Sequence, residues 1–131
     1  MRLKVVLAAG CFDPFHVGHL RHLQAAATHG TRLVVSVTRD AHVNKGPKRP
    51  VFNEKDRLAV IAALRIVDHA LLVDDSLEAL RIVKPDVFVK GADYRGKIEP
   101  EHYLYCQDHG IRIEFTDAPA HSSTKLLHHY A

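Results

Sequence analysis

Short apolar runs rich in β-branched residues alternate with helix-period segments along the chain, and this alternation limits the fold more than any other feature. The first run, Val5-Val6-Leu7-Ala8-Ala9, is almost continuously apolar, as a strand covered on both faces is, and Gly10 breaks it. Val17, Leu20, Leu23 and Ala27 then recur at helical spacing until His29-Gly30 supplies a stop. Further strands are expected at residues 33–37, 70–73, 87–89 and 111–115. The intervening helices are expected from Glu54 to about Arg65, at 76–83 and at 100–108, with a last helix at 122–130. Asn53 and Ser76 are the expected caps of the first two, and Leu58, Ile61, Ala62 and Leu64 the inward positions of the first. Residues 38–50, which hold Gly46, Pro47 and Pro50, read as a long mobile loop. Parallel neighbours need crossovers and crossovers are right-handed, so the expected fold class is α/β, a mostly parallel sheet with helices on both faces. Ligands bind outside the carboxyl ends of such strands, which here are residues 10–19, 38–50, 74–75, 90–97 and 116–124.

A length of 131 residues fits one domain spanning 1–131. With 47% hydrophobic and 25% charged residues, the composition argues against a disordered or fibrous chain. No apolar run approaches the roughly 20 residues that cross a bilayer, and the first residues lack an export-signal pattern, so a cytoplasmic location and no membrane partner are expected. Two cysteines, Cys11 and Cys106, make no disulfide framework and fit reduced thiols. A net charge of +3 with scattered Lys and Arg suits a small anionic ligand better than nucleic acid.

The densest chemistry lies in Gly10-Cys11-Phe12-Asp13-Pro14-Phe15-His16-Val17-Gly18-His19, where the first strand turns into the first helix. Gly10 permits a tight turn, Gly18 lets a ligand approach the helix start, and the free N–H groups there favour phosphate. His16 and His19, three residues apart, project from one side of the first turn and can donate to oxygens that gain charge in a transition state. His22 extends the spacing, but it lies about one turn deeper and i+3 steps slip around the helix, so no metal site is expected. Lys45, Lys48 and Arg49 are flexible loop cations placed to close over a triphosphate. Ser122-Ser123-Thr124 begins the last helix with hydroxyls and free N–H groups, a second phosphate cradle as well as a cap. Lys90-Gly91-Ala92-Asp93-Tyr94 follows the fourth strand, where backbone can approach a flat base. Asp13 and Asp93 either steer acceptor hydroxyls or stabilise their own turns. Cys11 beside the phosphate loop is read as a small filler rather than a nucleophile.

These residues resemble a known family. Gly10 to His19 is similar to the His-x-Gly-His signature of the nucleotidylyltransferase superfamily, and the chain resembles its cytidylyltransferase-like branch over nearly its whole length. Arg49-Pro50-Val51 with Asn53 and Arg57, Ala63-Leu64 with Val67-Asp68, and the run from Lys84 to Tyr94 resemble heptose 1-phosphate adenylyltransferase domains. Tyr94-Arg95-Gly96-Lys97 and Ser122-Ser123-Thr124-Lys125 resemble glycerol-3-phosphate cytidylyltransferases, although the arginine those enzymes carry just before the second motif is missing here. The resemblance implies a Rossmann-like fold with a five-stranded parallel sheet. It implies transfer of a nucleotidyl group from a nucleoside triphosphate with Mg²⁺ to a phosphorylated sugar or polyol, with release of pyrophosphate, by a homodimer. It further implies catalytic roles for His16, His19, Lys48 and Arg57, nucleotide contacts for Gly10, Cys11, Phe12, Gly18, Lys45, Lys90, Gly91, Asp93, Tyr94, Ser122, Ser123 and Thr124, and acceptor contact for Asp13. The chemistry agrees, because a phosphate monoester is already ionised and needs no strong base, and no Ser-His-Asp order is evident. ATP is slightly favoured over CTP. A nicotinamide-mononucleotide-type adenylyltransferase and a non-catalytic nucleotide sensor are the competing readings.

Overall fold

The computed structural model describes residues 2–117. Five strands, β1 (Val5–Gly10), β2 (Arg32–Thr38), β3 (His69–Val73), β4 (Val87–Gly91) and β5 (Arg112–Thr116), alternate with four helices, α1 (Val17–Ala27), α2 (Glu54–Ala62), α3 (Ser76–Val83) and α4 (Pro100–Asp108). The strands form one all-parallel sheet in the order β3-β2-β1-β4-β5, the Rossmann-like arrangement expected from the sequence. In register, Leu7 of β1 pairs with Val34 of β2 and Phe88 of β4, so β1 is central.

Strand periodicity sorts the core into two layers. Val6, Ala8, Val35, Val37, Val87 and Val89 meet Leu23 and Ala26 of α1 and Ile61 of α2 on one face. Leu7, Phe88 and Val73 meet Ala79 and Leu80 of α3 and Cys106 of α4 on the other. Burial pushes the Cys106 thiol up to about 11, so it packs as an apolar group. Because right-handed crossovers run outward from β1 in both directions, α1 and α2 cover one face and α3 and α4 the other. The direction reverses between β1 and β4, which opens a crevice above their carboxyl ends.

Local chemistry departs from expectation in four places. The cap of α3 is Asp75 rather than Ser76, its Oδ1 accepting from the Glu78 N–H at 2.9 Å. Helix α2 ends at Ala62, and Ala62 is exposed while Ile61 carries the burial. Helix α1 ends at Ala27 with Thr28 as its C-cap, and Gly30 serves close packing instead, since a Cβ there would lie 2.6 Å from the Lys4 carbonyl oxygen. The segment after β2 holds a 3₁₀ turn at Asp40–His42 rather than only irregular loop. Asn53 caps α2 as expected, accepting from the Asp56 N–H at 2.9 Å. At the opposite end of the sheet, Asp86 accepts from the Val5 N–H and Asp68 from the Leu33 N–H, both at 2.8 Å, bracing the starts of β1 and β2. The expected helix at residues 122–130 lies outside the described residues.

Candidate active site

A cavity of about 680 Å³ opens above the carboxyl ends of the strands. It gathers Gly10, Cys11, Phe12, Asp13, Gly18, His19, Lys45, Lys90, Gly91, Asp93 and Tyr94, which the sequence places far apart.

The turn after β1 builds its central wall. Phe12 takes the left-handed conformation, with φ 53°, and folds its ring back over Gly10, where a Cβ would lie 2.9 Å from the ring. The glycine is therefore required for close approach, and Phe12 makes the turn. His16 then caps α1, its Nδ1 accepting from the Gly18 N–H at 3.0 Å. The His16 N–H donates to Nδ1 of His19 at 3.2 Å, closing a reciprocal capping box built from two imidazoles. With Nδ1 occupied as an acceptor, the neutral form of each ring carries its proton on Nε2. Phe12 meets the His19 ring edge-on at 5.2 Å, Phe15 stacks on it at 5.7 Å, and the His16 ring lies 3.9 Å away. Burial, reinforced by the charges of His16, His22 and Lys45, lowers the His19 pKa to about 3. His19 is thus a neutral N–H donor at the start of a helix, suited to a phosphate oxygen.

Asp13 is 1% exposed. It accepts from the Val51 and Phe52 N–H groups at 2.7 and 2.9 Å and from Arg49 Nε at 2.9 Å, and Arg49 Nη2 reaches its backbone carbonyl. Burial would raise its pKa, but these donors outweigh that and hold it below the usual carboxylate range. Asp13 therefore fastens the segment before α2 to the turn after β1. Arg57, 2% exposed, does the same from the other side, donating to the carbonyls of Phe52 and Cys11 at 2.9 Å and to Asp40 at 2.7 Å. In this arrangement Arg57 does not line the cavity, and its guanidinium holds together the three segments that surround it. Lys48 is exposed with φ 62° and stands outside the cavity lining, whereas Lys45 faces in.

Across β1, Lys90 sits with Nζ 4.1 Å from the Tyr94 ring centroid and 5.6 Å from that of Phe88. Burial lowers its pKa despite the opposing pull of Asp93, Glu99 and Cys11. Burial, together with Asp93 and Cys11, raises the Tyr94 phenol. Gly91 again serves close approach, because a Cβ there would lie 2.7 Å from Asp93 Oδ1. His22, expected to lie too deep, lines the same cavity, with Nδ1 2.7 Å from Thr116 Oγ1 and a pKa lowered by burial and by Lys90. Ser36, Asp74, Asp75 and Ser76 also line it. Asp74-Asp75 was legible as a strand end, but Ser36 was hidden inside an apolar strand. Ser122, Ser123 and Thr124 lie outside the described residues.

The cytidylyltransferase-like family profile matches residues 7–126. Bifunctional protein HldE of Gluconobacter oxydans is 54% identical over 95 residues, covering 70% of this chain and 20% of that protein. Bifunctional protein HldE of Syntrophotalea carbinolica is 37% identical over 128 residues, covering 94% of this chain and 26% of that protein. The chain thus spans about a fifth to a quarter of the length of these curated relatives. Among solved structures, the lipopolysaccharide core biosynthesis protein from Thermoplasma volcanium superposes with a TM-score of 0.76 at 33% identity, covering 91% of this chain and all of that one. A donor-lined helix start at the switch point of a parallel sheet, and a profile match over most of the sequence, lead to one assignment: the chain belongs to the cytidylyltransferase-like family of nucleotidyltransferases.

Proposed function

We propose that this chain transfers the adenylyl group of ATP to a sugar 1-phosphate of the heptose type, releasing pyrophosphate. The observation that carries the proposal is the paired-histidine start of α1, which holds His19 neutral with its donor nitrogen beside a helix N-terminus. The sugar phosphate is chosen on the kinship to the HldE proteins and on the resemblance of Arg49-Pro50-Val51 and Lys90 to Tyr94 to heptose 1-phosphate adenylyltransferase domains.

An oxygen of the acceptor phosphate attacks the α-phosphorus, the bond from that phosphorus to the bridging oxygen breaks, and pyrophosphate leaves with the electron pair. The attacking oxygen is already ionised at neutral pH, so the chain supplies position and charge compensation rather than a base. His19 Nε2–H and the α1 start meet the phosphate oxygens, with His16 fixing the His19 ring. Lys45, on the segment after β2, faces the triphosphate, and Lys48 joins it when that segment closes. Gly91, Asp93 and Tyr94 receive the base and ribose. Mg²⁺ would arrive with the triphosphate and neutralise its oxygens, since such ions are held mainly by substrate phosphates and water. Among the described residues no cluster of three or more His, Cys, Asp or Glu forms a metal cage. No helix among the described residues is long and apolar enough to cross a membrane, and a cytoplasmic setting and a homodimer complete the proposal.

Pyrophosphate release, measured with ATP or CTP against a panel of sugar 1-phosphates, glycerol 3-phosphate and nicotinamide mononucleotide, tests it. Turnover with ATP and a sugar 1-phosphate is expected. Turnover confined to CTP and glycerol 3-phosphate would move the chain to the cytidylyl reading, and nucleotide binding without release in any pair would leave the sensor reading.

A further inference from the structure

We infer that Ser36 reads a hydroxyl of the sugar acceptor, so that the cavity floor above β2 and β3 is its acceptor end. The inference rests on the function proposed above and deepens it by naming the group that selects the sugar. Ser36 is 1% exposed and lines the cavity, yet its Oγ has no hydrogen-bond partner among the described residues. An unpartnered buried hydroxyl destabilises a fold, and at a cavity floor the missing partner is a ligand or a water.

Its surroundings favour a polyol. Ser36 stands in register with Ala9 of β1 and Leu71 of β3, on the α3 side of the sheet. At the turn from the neighbouring β3 into α3, Asp74, Asp75 and Ser76 line the same cavity. Arg39 is already committed to Asp74 at 3.0 Å and Glu78 at 3.1 Å. Carboxylates and hydroxyls whose cation is already engaged accept O–H donors from a neutral sugar ring. Lys90 stands on β4, two strands away and about 10 Å across the sheet, with Tyr94 in the 3₁₀ turn just after that strand, and a cation over an aromatic face there suits the nucleotide. The end of β1, with Gly10 and His19, lies between the two. An acceptor whose phosphate reaches the β1 end therefore lays its carbon-bound hydroxyls over β2.

Steady-state kinetics of wild type and Ser36→Ala, varying ATP and the sugar 1-phosphate separately in the presence of Mg²⁺, tests the inference. The acceptor KM is expected to rise about tenfold, while kcat and the ATP KM move by less than about twofold. The thermal midpoint should stay level or rise, because an unpartnered hydroxyl has been removed. In a series of monodeoxy sugar phosphates, one analogue should be turned over equally by both proteins, which identifies the hydroxyl concerned. An unchanged acceptor KM, the result if Ser36 holds only a buried water, overturns the inference and leaves the proposed function standing. A rise in the ATP KM alone, or a midpoint lowered by more than about 5 °C, also overturns it, by assigning the hydroxyl to the nucleotide or to the fold. Wild type that releases no pyrophosphate with any sugar phosphate overturns both.

Discussion

Replacing Asp13 by Asn keeps the side-chain shape but removes the charge that ties the segment before α2 to the turn after β1. The carboxylate receives three donors, from Val51, Phe52 and Arg49, whereas an amide offers one acceptor oxygen and turns an N–H₂ group toward the others. Breaking one side of a buried ion pair costs about 3–5 kcal/mol. The lower end applies, because Arg49 retains its bond to the Asp13 backbone carbonyl. For a chain of 131 residues, unfolding entropy of about 2.1 cal/mol/K per residue converts about 3 kcal/mol into a fall in thermal midpoint of about 11 °C. The pH dependence has a definite sign. Asp13 has its pKa depressed below the ordinary value of 3.8, so its contribution is complete above that value and is lost as pH falls through the folded value. Urea unfolding at pH 7 and in steps below pH 4 measures both effects, and the gap between wild type and Asp13→Asn should narrow in acid. A loss below about 1 kcal/mol at pH 7, an ordinary neutral hydrogen bond, would refute the reasoning. If the acceptor KM rose at unchanged stability, the carboxylate would belong to the substrate instead.

Three further outcomes are expected. His19→Ala should lower kcat by about 10²–10³ with the fold intact, as loss of one preorganised donor does, and unchanged turnover would remove His19 from the chemistry. Because its pKa is lowered to about 3, His19 stays neutral where an unfolded imidazole, ordinarily at 6.5, takes up a proton. Its contribution is therefore complete above that value and falls away between there and about 3; a His19→Gln variant whose urea midpoint shows the same acid slope as wild type would contradict this. Arg57→Lys, which cannot reach both carbonyls and Asp40 at once, should cost about 2–3 kcal/mol in urea unfolding, and a loss confined to kcat would mean the guanidinium acts on phosphate after all.

Much of the fold was legible because each layer announces itself locally. The unbroken run Val5 to Ala9 can only be a strand covered on both sides, and the helical spacing that follows forces parallel pairing. Strand ends carrying Gly10, Asp74 and Lys90 then fixed where a ligand cavity would open. What stayed hidden depended on contacts between distant segments. Arg57 reads as an ordinary first-turn arginine until the carbonyls of Phe52 and Cys11 are seen around it. His22 of α1 meets Thr116 at the end of β5, a contact between distant segments that spacing along one helix does not encode. Asp75 and Ser76 are both good caps by type, and only the backbone tells which one serves.

Asp68 and Asp86 brace the starts of β2 and β1, through the N–H groups of Leu33 and Val5, at the end of the sheet opposite the cavity. Foundation and chemistry are thus separated by the length of a strand. Exchanges among the residues that greet the ligand leave these footings untouched, so the substrate range of such a chain can drift while its folding instructions stay the same. An engineer who wishes to retarget it should leave both aspartates alone and vary the rim.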